Sequence, residues 1–396
     1  MRDLCRPNAS KIVLVVLDGL GGIPLVPGGL TELETAATPA LDTLAAEGIT
    51  GLHVPVRPGI TPGSGPGHLG ILGYDPLAFT IGRGALAAAG MACDLQPGDV
   101  AARGNFCTVD EDGLVTDRRA GRIDTGENKR LCRILQQIEI DGVDVFVDTI
   151  KEHRFLLVLR GSGLSAGVTD TDPQTTQVEP RPPKPVHPEA HKTADCVLRF
   201  VESAQKLLAE ESSANMVLLR GFAGRPTWPS FGDVFGVHSA AIAGYPMYRG
   251  IARLLGMEVL AQANTIEDSI SLVRNNLPGF DFFFVHVKAT DSTGEDGDFE
   301  AKVRAIEKAD EAVSALRAMN PDVLVVTGDH STPARLRAHS WHPVPALLWA
   351  PHCRPDGVTA FGERACLAGA LGLRFPATDL MPLALAHAGR LNKFGA

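Results

Sequence analysis

Three acidic residues stand just after short apolar runs of the sequence. Asp18 lies in VVLDG, Asp291 in FVHVKATD, and Asp329 in VVTGDH, where His330 follows it. Because parallel strands end at the same edge of a sheet, these side chains are expected to lie close together. Carboxylates and imidazoles of this kind suit a pair of divalent ions. His339, in the loop before the next apolar run, completes the predicted ligand set.

Ser64 is the candidate nucleophile. It lies in PGITPGSGPGHLGILGYDP, where glycines permit a close backbone approach and a following helix would point its N-terminal amides at a phosphate. A metal ion bound to the Ser64 oxygen would favour the alkoxide, and this overcomes the weakness of an alcohol as a nucleophile at neutral pH.

Each of these residues also has an ordinary structural interpretation when it is taken alone. An Asp after a strand is commonly a helix cap or a turn residue, and an isolated His is commonly a hydrogen-bonded surface residue. A loop of Gly, Pro and Ser needs no chemistry. Their joint occurrence, with DHSTP followed by HSWHPVP, favours a functional site over these alternatives.

The elements that must position these residues are short runs rich in Val, Ile, Leu and Phe, which are typical of buried strands in a parallel sheet. We predict that five such runs form one sheet: residues 12–17, 216–219, 282–287, 323–327 and 346–349. Their alternation with helical stretches predicts an α/β fold with a doubly wound, mostly parallel sheet.

Two helices are predicted with particular clarity. Residues 38–48 begin with a Thr N-cap and a Pro at the first helical position, and they end at a Gly suited to the C-terminal cap. Residues 298–319 form an amphipathic pattern that packs on the sheet. The apolar residues near helical spacing are Phe299, Val303, Ile306, Val313 and Leu316. The side chains predicted for the solvent face are Lys302, Arg304, Glu307 and Lys308.

Residues 91–195 have a different pattern, with shorter strand-like runs at 143–147 and 155–159 between Gly and Asp turns. We therefore predict an inserted smaller α+β domain at 91–195, while residues 1–90 and 196–396 form the main metal-binding domain. The proline-rich stretch 180–188 (PRPPKPVHP) is interpreted as an extended connector that leads back to the main domain.

Composition limits the partners. The net charge of −9 over 396 residues argues against nucleic acid and anionic membranes as partners, although a small anionic substrate remains compatible with a local Arg cluster. The seven cysteines are scattered without a CxxC pair, which favours a reducing cytoplasm. Apolar runs fall short of the roughly 18–20 residues of a membrane-spanning helix, so a soluble protein is expected. The sequence leaves a homo-oligomer open.

The ordered set of motifs resembles the archaeal-type, cofactor-independent phosphoglycerate mutases, a branch of the alkaline phosphatase superfamily. The matching segments are VVLDGLGG, TPALDTLAAEGITGL, RPGITPGSGPGHLGILGYDP, IGRGALAAAG, RGNFCTVD, DRRAGRI, EHRFLLVLRG, TDTDP, KATDSTGEDGDFEAKVRAIEKAD and TGDHSTP with HSWHPVP. The resemblance covers nearly the whole chain. It implies an alkaline-phosphatase-like sheet with a smaller inserted domain.

The resemblance also implies the reaction. Ser64 takes the phosphoryl group of 3-phosphoglycerate and returns it to the 2-hydroxyl of the bound glycerate to give 2-phosphoglycerate, without a bisphosphoglycerate cofactor. One metal site would comprise Asp18, Ser64, Asp329 and His330, and Asp291 and His339 would belong to the other.

The sequence departs from the family pattern at one metal ligand. Related bacterial enzymes and phosphatases have His four residues after the Asp that corresponds to Asp291, where this chain has Glu295. A carboxylate there shifts the expected metal from Zn²⁺ toward Mn²⁺ or Mg²⁺, with Co²⁺ as a further alternative. His286 is an alternative ligand, although its place within a strand favours a role in the core or behind the ligands.

A substrate with a phosphate and a carboxylate requires cationic recognition, to which the bidentate guanidinium of Arg is suited. The candidates are Arg83, Arg103, Arg118, Arg119, Arg122, Arg154 and Arg160, with His153, Asp170 and Asp172 for the glycerate hydroxyls or proton transfer. We expect the inserted domain to supply these residues and to exclude water. The alternatives are a metal-dependent phosphatase or another phosphomutase of the superfamily, and a catalytically silent, metal-stabilised binding protein.

Overall fold

The computed structural model describes residues 1–395. The strands are β1 (Ile12–Leu17), β2 (Ile49–Val54), β3 (Val100–Val109), β4 (Val115–Asp117), β5 (Asp144–Lys151), β6 (Arg154–Arg160), β7 (Met216–Ala223), β8 (Ser239–Ile242), β9 (Glu258–Val259), β10 (Phe282–Val287), β11 (Val323–Thr327), β12 (Val344–Trp349) and β13 (Gly372–Pro376). The helices are α1 (Glu32–Thr35), α2 (Pro39–Glu47), α3 (Ser64–Ile71), α4 (Arg83–Gly90), α5 (Thr125–Leu135), α6 (His191–Leu207), α7 (Phe231–Phe235), α8 (Pro246–Leu254), α9 (Ile266–Asn276), α10 (Ala289–Asp296), α11 (Phe299–Arg317) and α12 (Leu380–His387).

The chain forms two compact units. The first comprises residues 1–80 together with the chain from 228 onward, and the second comprises residues 81–227. The second unit is longer at both ends than the predicted segment 91–195. The reason is packing: α4 covers one face of β3 through Ala85 and Ala88, while α6 packs its apolar stripe into the core of the same unit.

The first unit contains the predicted α/β sheet, in the strand order β13-β2-β12-β11-β1-β10-β8-β9. Strand β1 pairs in parallel with both β10 and β11, and β8 continues the parallel array beside β10. The run 346–349 forms a strand, but the prediction of a parallel one was wrong, since β12 is antiparallel to β11 and to β2. The chain turns back from β11 to β12 through bridges and turns, and such a return places neighbouring strands antiparallel.

The second unit has its own antiparallel sheet. Its strand order is β4-β3-β6-β5, with β7 on the other side of β3. The assignment of residues 216–219 to the main parallel sheet was therefore wrong, because they belong to β7 and pair antiparallel with β3. The stretch 180–188 does not lead back to the main sheet either: its backbone bonds to residues 167–171, and it continues into α6 of the same unit.

The two predicted helices are present, and their ends differ in detail from expectation. Helix α2 starts after Thr38, whose side chain makes no capping bond. Instead the Asp310 carboxylate of α11 accepts the amides of Ala40 and Leu41 at 3.1 and 2.8 Å. In α11 the apolar positions face the core, but the placement of Lys302 at the solvent face was wrong, because Lys302 is fully buried. Every helix within residues 1–395 is too short or too polar to span a bilayer.

Candidate active site

The candidate ligands converge at one edge of the main sheet. Strands β11, β1 and β10 are neighbours, and each is followed by acidic residues. Asp18 follows β1, Asp329 and His330 follow β11, and Asp291 lies in the first turn of α10 after β10. The side chains of these four residues are almost completely buried, so three carboxylates and an imidazole lie in the interior of the protein.

The ligand atoms form two overlapping groups. One atom from each of Asp18, Asp329 and His330 lies within 4.8 Å of the others, and the same holds for Asp291, His330 and His339. Nε2 of His330 is 3.3 Å from Oδ1 of Asp18 and 3.2 Å from Oδ2 of Asp329. The His330 and His339 rings stack with centroids 3.7 Å apart. His330 therefore lies between the two groups, whereas the family resemblance assigns it to one.

Ser64 is the first residue of α3, and its Oγ lies 3.4 Å from Nε2 of His330. The helix reaches this position because Gly67 packs directly on the main chain of Asp329. A methyl group on Gly67 would lie 3.0 Å from the Asp329 carbonyl carbon and closer still to its oxygen. Gly67 thus serves the close backbone approach that the sequence predicted for the glycines around Ser64.

The loop after β1 also needs a glycine. Gly19 has a φ of +64°, and a methyl group there would lie 2.6 Å from Oγ1 of Thr332 and 2.8 Å from Oδ1 of Asp291. Its amide donates to Oδ1 of Asp329 at 3.1 Å. Gly19 therefore brings the β1 loop against the ligand residues of the other two strands.

Thr332, which sequence reasoning missed, fixes the tautomer of His330. Its hydroxyl donates to Oδ1 of Asp291 at 2.6 Å and lies 2.9 Å from Nδ1 of His330. Because the hydroxyl proton is directed to Asp291, the Thr332 oxygen accepts the Nδ1–H of His330. The Nε2 atom then carries a lone pair on the side of Asp18, Asp329 and Ser64, as a metal ligand requires.

Three further residues surround Asp18: Tyr248 and Lys288, which sequence reasoning missed, and His286, which it named as an alternative ligand or a residue behind the ligands. Tyr248 and Lys288 donate to its carboxylate, and Nε2 of His286 lies 3.1 Å from Oδ2. Lys288 also bonds to Asp291, and thus links the two acidic groups. Its position three residues before Asp291 was a signal in the sequence, whereas Tyr248 lies 230 residues from Asp18 and gave none.

His68 supports the Ser64 side of the site. It is buried one helical turn after Ser64, with Nδ1 at 2.9 Å from Oδ2 of Asp329 and at 2.8 Å from the Ser64 carbonyl oxygen. Burial opposes its charged form, but the charge of Asp329, its contact with the ring and the charge of Asp18 together outweigh burial and raise the pKa of His68. The ring therefore couples the nucleophile's helix to the β11 carboxylate.

The electrostatics of the carboxylates fit a cation. Burial and the charge of Asp18 raise the pKa of Asp329 to about 6. Burial acts on Asp18 in the same sense, but the hydrogen bond and charge of His286 and the charge of Lys288 hold the pKa of Asp18 well below its ordinary value.

Two buried oxygens point to the same conclusion. Oδ1 of Asp18 and Oδ2 of Asp329 accept no hydrogen bond of good geometry among residues 1–395. His68 Nδ1 contacts Oδ2 of Asp329 as an ion pair, but its hydrogen bond goes to the Ser64 carbonyl oxygen. Burial also lowers the pKa of His330 far below its ordinary value and keeps the imidazole neutral. Neutral imidazole and unpartnered carboxylate oxygens are the donors that a divalent metal ion takes.

Glu295 lies at the border of the second group. It is one turn after Asp291 in α10, and its Oε1 is 3.7 Å from Nε2 of His339. Its side chain is 54% exposed, in contrast to the buried Asp291. Burial and the charge of Asp291 raise the pKa of Glu295, which is the response of an acid facing another carboxylate across a shared site.

The second unit gathers several of the predicted substrate-binding residues. Arg118 donates to both oxygens of the buried Asp172, at 2.9 and 2.7 Å. Arg220, which was not predicted, lies 3.4 Å from Asp172 and 3.8 Å from Asp170. Arg103 pairs directly opposite Arg220 in the β3–β7 ladder, and the charge of Arg83 acts on Arg220.

Arg119 and Arg122 flank a strained turn. Ala120, Gly121 and Arg122 have φ values of 48°, 63° and 56°, which only the glycine adopts without strain. Asp117 holds the turn by accepting the amides of Arg119 and Gly121 at 2.8 and 2.6 Å. Strained turns of this kind cluster at ligand-binding sites.

His153 and Arg154 belong to the same region, whereas Arg160 does not. Burial, then the charge of Arg154 and those of the turn arginines, lower the pKa of His153 to about 4. Arg154 pairs with Glu152 at 3.3 Å. Arg160 instead forms a fork with Asp99, with a shortest distance of 2.7 Å, and lies over the ring of Phe146.

Comparison with known proteins gives a consistent family. A family model described as 2,3-bisphosphoglycerate-independent phosphoglycerate mutase matches residues 45–214. A probable 2,3-bisphosphoglycerate-independent phosphoglycerate mutase of Thermus thermophilus is 49% identical over 100% of this chain and 98% of its own length. A relative of the same description from Aquifex aeolicus is also 49% identical, over 100% of this chain and 99% of its own.

Solved structures extend the likeness to the fold. A Pyrococcus horikoshii protein covers 98% of this chain and 100% of its own, with a TM-score of 0.84 and 28% identity. A cofactor-independent phosphoglycerate mutase of Thermoplasma acidophilum covers 96% of this chain and 100% of its own, with a TM-score of 0.74 and 30% identity.

Proposed function

The chain belongs to the family of 2,3-bisphosphoglycerate-independent phosphoglycerate mutases, and on this premise we propose that it interconverts 3-phosphoglycerate and 2-phosphoglycerate through a phosphorylated Ser64. The observation that carries the proposal is the position of Ser64. Ser64 is the first residue of α3, and its hydroxyl oxygen lies 3.4 Å from Nε2 of His330, the ring nitrogen that carries the lone pair. The enzyme is accordingly an isomerase.

The metal ions are assigned to the two overlapping groups. We propose that Asp18, Ser64, Asp329 and His330 hold one divalent ion and that Asp291, Glu295 and His339 hold the other. The predominance of carboxylates favours Mn²⁺ or Mg²⁺ over Zn²⁺, with Co²⁺ as an alternative. When bound, the ions polarise phosphoryl oxygens and lower the pKa of the Ser64 hydroxyl.

The chain's own residues then carry the transfer. Ser64 Oγ bonds to phosphorus as the bond to the 3-oxygen of glycerate breaks, and the serine proton ends on that oxygen. In the second half the 2-oxygen of glycerate bonds to phosphorus, the bond to Oγ breaks, and the proton of the 2-hydroxyl returns to Ser64. No bisphosphoglycerate enters this balance, because each half-reaction regenerates what the other consumes.

The phosphoryl group on Ser64 is matched by its surroundings. The first turn of α3 presents the amides of Ser64 and Gly65, which favour negative charge at a helix N-terminus. Pro66 is the third helical residue and has no amide hydrogen, so this position leaves no unpaired donor in the first turn. Lys288 bonds to the carboxylates of both Asp18 and Asp291, and so keeps them in place beside the phosphoryl group.

We further propose that arginines of the second unit recognise the phosphate and carboxylate of the substrate. Arg119 and Arg122 on the strained turn, with His153 beside them, are the leading candidates. Arg118 is pre-oriented by Asp172, and Asp170 holds the neighbouring main chain through the amide of Gly221 at 2.7 Å. Arg83, Arg103 and Arg154 complete the set, and Arg160 is the weakest member because Asp99 already engages it.

The location that we propose is the cytoplasm. All seven cysteines are free thiols, and four of them are buried. Free thiols of this kind are typical of a reducing compartment.

The test follows phosphorus directly. Purified protein is stripped of metal, supplied with Mn²⁺ and 3-phosphoglycerate without bisphosphoglycerate, and monitored by ³¹P NMR. The proposal expects 2-phosphoglycerate to accumulate until equilibrium. Release of inorganic phosphate in its place would identify a phosphatase of the same superfamily, and no reaction together with no bound metal would identify a silent binding protein.

Variants assign the nucleophile. Ser64→Ala should abolish conversion, because alanine has no hydroxyl group to accept the phosphoryl group from 3-phosphoglycerate. The matched control is Ser314→Ala, which removes a hydroxyl from the exposed face of α11 and should leave the rate unchanged. Normal activity of Ser64→Ala would refute the assignment of Ser64.

A further inference from the structure

Lys302 is a fully buried cation behind the active site. It lies on α11, and its side chain has no exposed surface. Its ammonium donates to the carbonyl oxygens of Gly19, Gly21 and Thr332 at 2.9, 3.2 and 2.8 Å. An ammonium has three N–H donors, so these carbonyls satisfy it completely.

The three carbonyls come from the two loops that carry metal ligands. Gly19 and Gly21 follow Asp18 at the end of β1, and Thr332 follows His330 after β11. The loops also bond to each other, because the Thr332 amide donates to the Gly19 and Gly21 carbonyls at 3.2 and 3.0 Å. Lys302 therefore binds at the crossing point of the two loops.

Two acidic side chains hold the same loops by their amides. The buried Glu32 accepts the Ala334 amide at 2.7 Å. Glu363 accepts the Gly22 amide at 2.8 Å and the Thr31 hydroxyl at 2.6 Å. The charges of both acids act on Lys302. We call Lys302, Glu32 and Glu363 the clamp: its cation binds carbonyls and its acids bind amides.

The residues held by the clamp are also the ones that orient the ligands. The amide of Gly19 donates to Asp329, and the hydroxyl of Thr332 bonds to Asp291 and to Nδ1 of His330. A shift in the Gly19 or Thr332 peptide would therefore move ligands of both metal groups. The three hydrogen bonds of Lys302 go to main-chain carbonyls, so Lys302 acts on the ligands through the loops that carry them.

We propose that Lys302 is a positioning residue that sets the metal affinity of the site by holding the two ligand loops in register before any ion binds. The inference rests on the proposed two-metal function. Outer contacts that orient ligands typically change metal affinity by about 10–100-fold when they are removed. A buried lysine that served stability alone would leave the affinity of the folded protein unchanged.

The test compares Lys302→Met with Lys308→Met in the full chain. Lys308 lies on the same helix but is 49% exposed and pairs with Glu267 and Glu311 at the surface. Mn²⁺ dissociation constants are measured by electron paramagnetic resonance of the free ion. We expect a rise of about 10–100-fold for Lys302→Met and no change for Lys308→Met.

A second measurement needs no metal. Amide hydrogen exchange of the metal-free proteins should be faster in residues 19–22 and 331–334 of Lys302→Met, while other loops keep their wild-type rates. Activity supplies a third reading: turnover of Lys302→Met should recover at saturating Mn²⁺, because the chemistry of Ser64 is intact.

The outcomes are distinguishable. Wild-type Mn²⁺ affinity and wild-type loop exchange in Lys302→Met, with or without a lower melting temperature, would overturn the clamp and leave the proposed function standing. Failure of the wild-type protein to bind Mn²⁺, Mg²⁺ or Co²⁺ would overturn both. Should Lys302→Met not fold, Lys302→Gln keeps two N–H donors and should show a smaller rise of roughly threefold or more. An unchanged constant there would overturn the clamp equally.

Discussion

Replacing Gly67 by alanine tests the contact that places Ser64. Gly67 lies inside α3, and an added methyl group would lie 3.0 Å from the Asp329 carbonyl carbon, where ordinary contact begins at 3.4 Å. The oxygen is closer still. Helix α3 and the Asp329 loop must therefore separate, by an amount on the order of 0.5–1 Å.

Stability and catalysis should respond differently to this change. Alanine in a helix interior gains about 1 kcal/mol over glycine, whereas overpacking costs about 1–3 kcal/mol, so the net loss of stability should be no more than about 2 kcal/mol. A displacement of about 1 Å in a catalytic group costs about 100-fold in rate, equivalent to about 2.7 kcal/mol in activation free energy. We expect kcat/KM to fall by about that factor while the protein stays folded.

The assay measures conversion of 3-phosphoglycerate at saturating Mn²⁺ together with urea unfolding. Gly63→Ala is the matched control, because Gly63 has a φ of −82° and a methyl group there would meet nothing nearer than the Pro66 Cδ at 3.9 Å. Its activity should stay within about threefold of wild type. Wild-type kcat/KM in Gly67→Ala would refute the claim that this contact positions Ser64.

Two further predictions concern acidic residues of the first unit. Burial raises the pKa of Glu363 from 4.5 to about 7. The folded protein thus favours the protonated acid, so stability present below pH 4.5 is lost as pH rises through about 7. A shift of this size corresponds to about 3 kcal/mol, and because Glu363 is partly exposed we expect a loss of roughly half that value. Glu363→Gln should flatten this dependence in urea unfolding between pH 5 and 8, and an unchanged slope would contradict the assignment. Glu295→His should raise the affinity for Zn²⁺ relative to Mn²⁺, by about tenfold or more, because imidazole suits the softer ion. An unaltered ratio of the two dissociation constants would remove Glu295 from the second metal group.

The convergence of the acidic residues at one edge of the sheet was predictable from the apolar strand pattern and from the direction of parallel strands. Runs of apolar residues identify the strands β1, β10 and β11, and parallel strands must end together, so Asp18, Asp291 and Asp329 had to converge. A helix after Ser64 was likewise predicted, and α3 begins at Ser64 itself. These features depend only on local sequence and on general packing rules.

What escaped prediction depends on contacts between distant segments. The run at β7 has the composition of a buried strand, but nothing in it specifies β3 as its partner. Lys302 lies three residues after Phe299 and four before Ile306, on the apolar side of α11, where a long side chain ordinarily reaches back to solvent. It stays buried because carbonyls from two loops meet it, and no pattern within α11 could reveal them.

The most direct test of the account is the chemical state of Ser64 during turnover. The Mn²⁺-loaded protein is mixed with 3-phosphoglycerate, quenched in acid and digested, and the peptide that contains Ser64 is weighed by mass spectrometry. The account predicts one phosphoryl group on Ser64, absent when the metal has been removed. Conversion to 2-phosphoglycerate by protein whose Ser64 stays unmodified, or phosphate on a different residue, would contradict it.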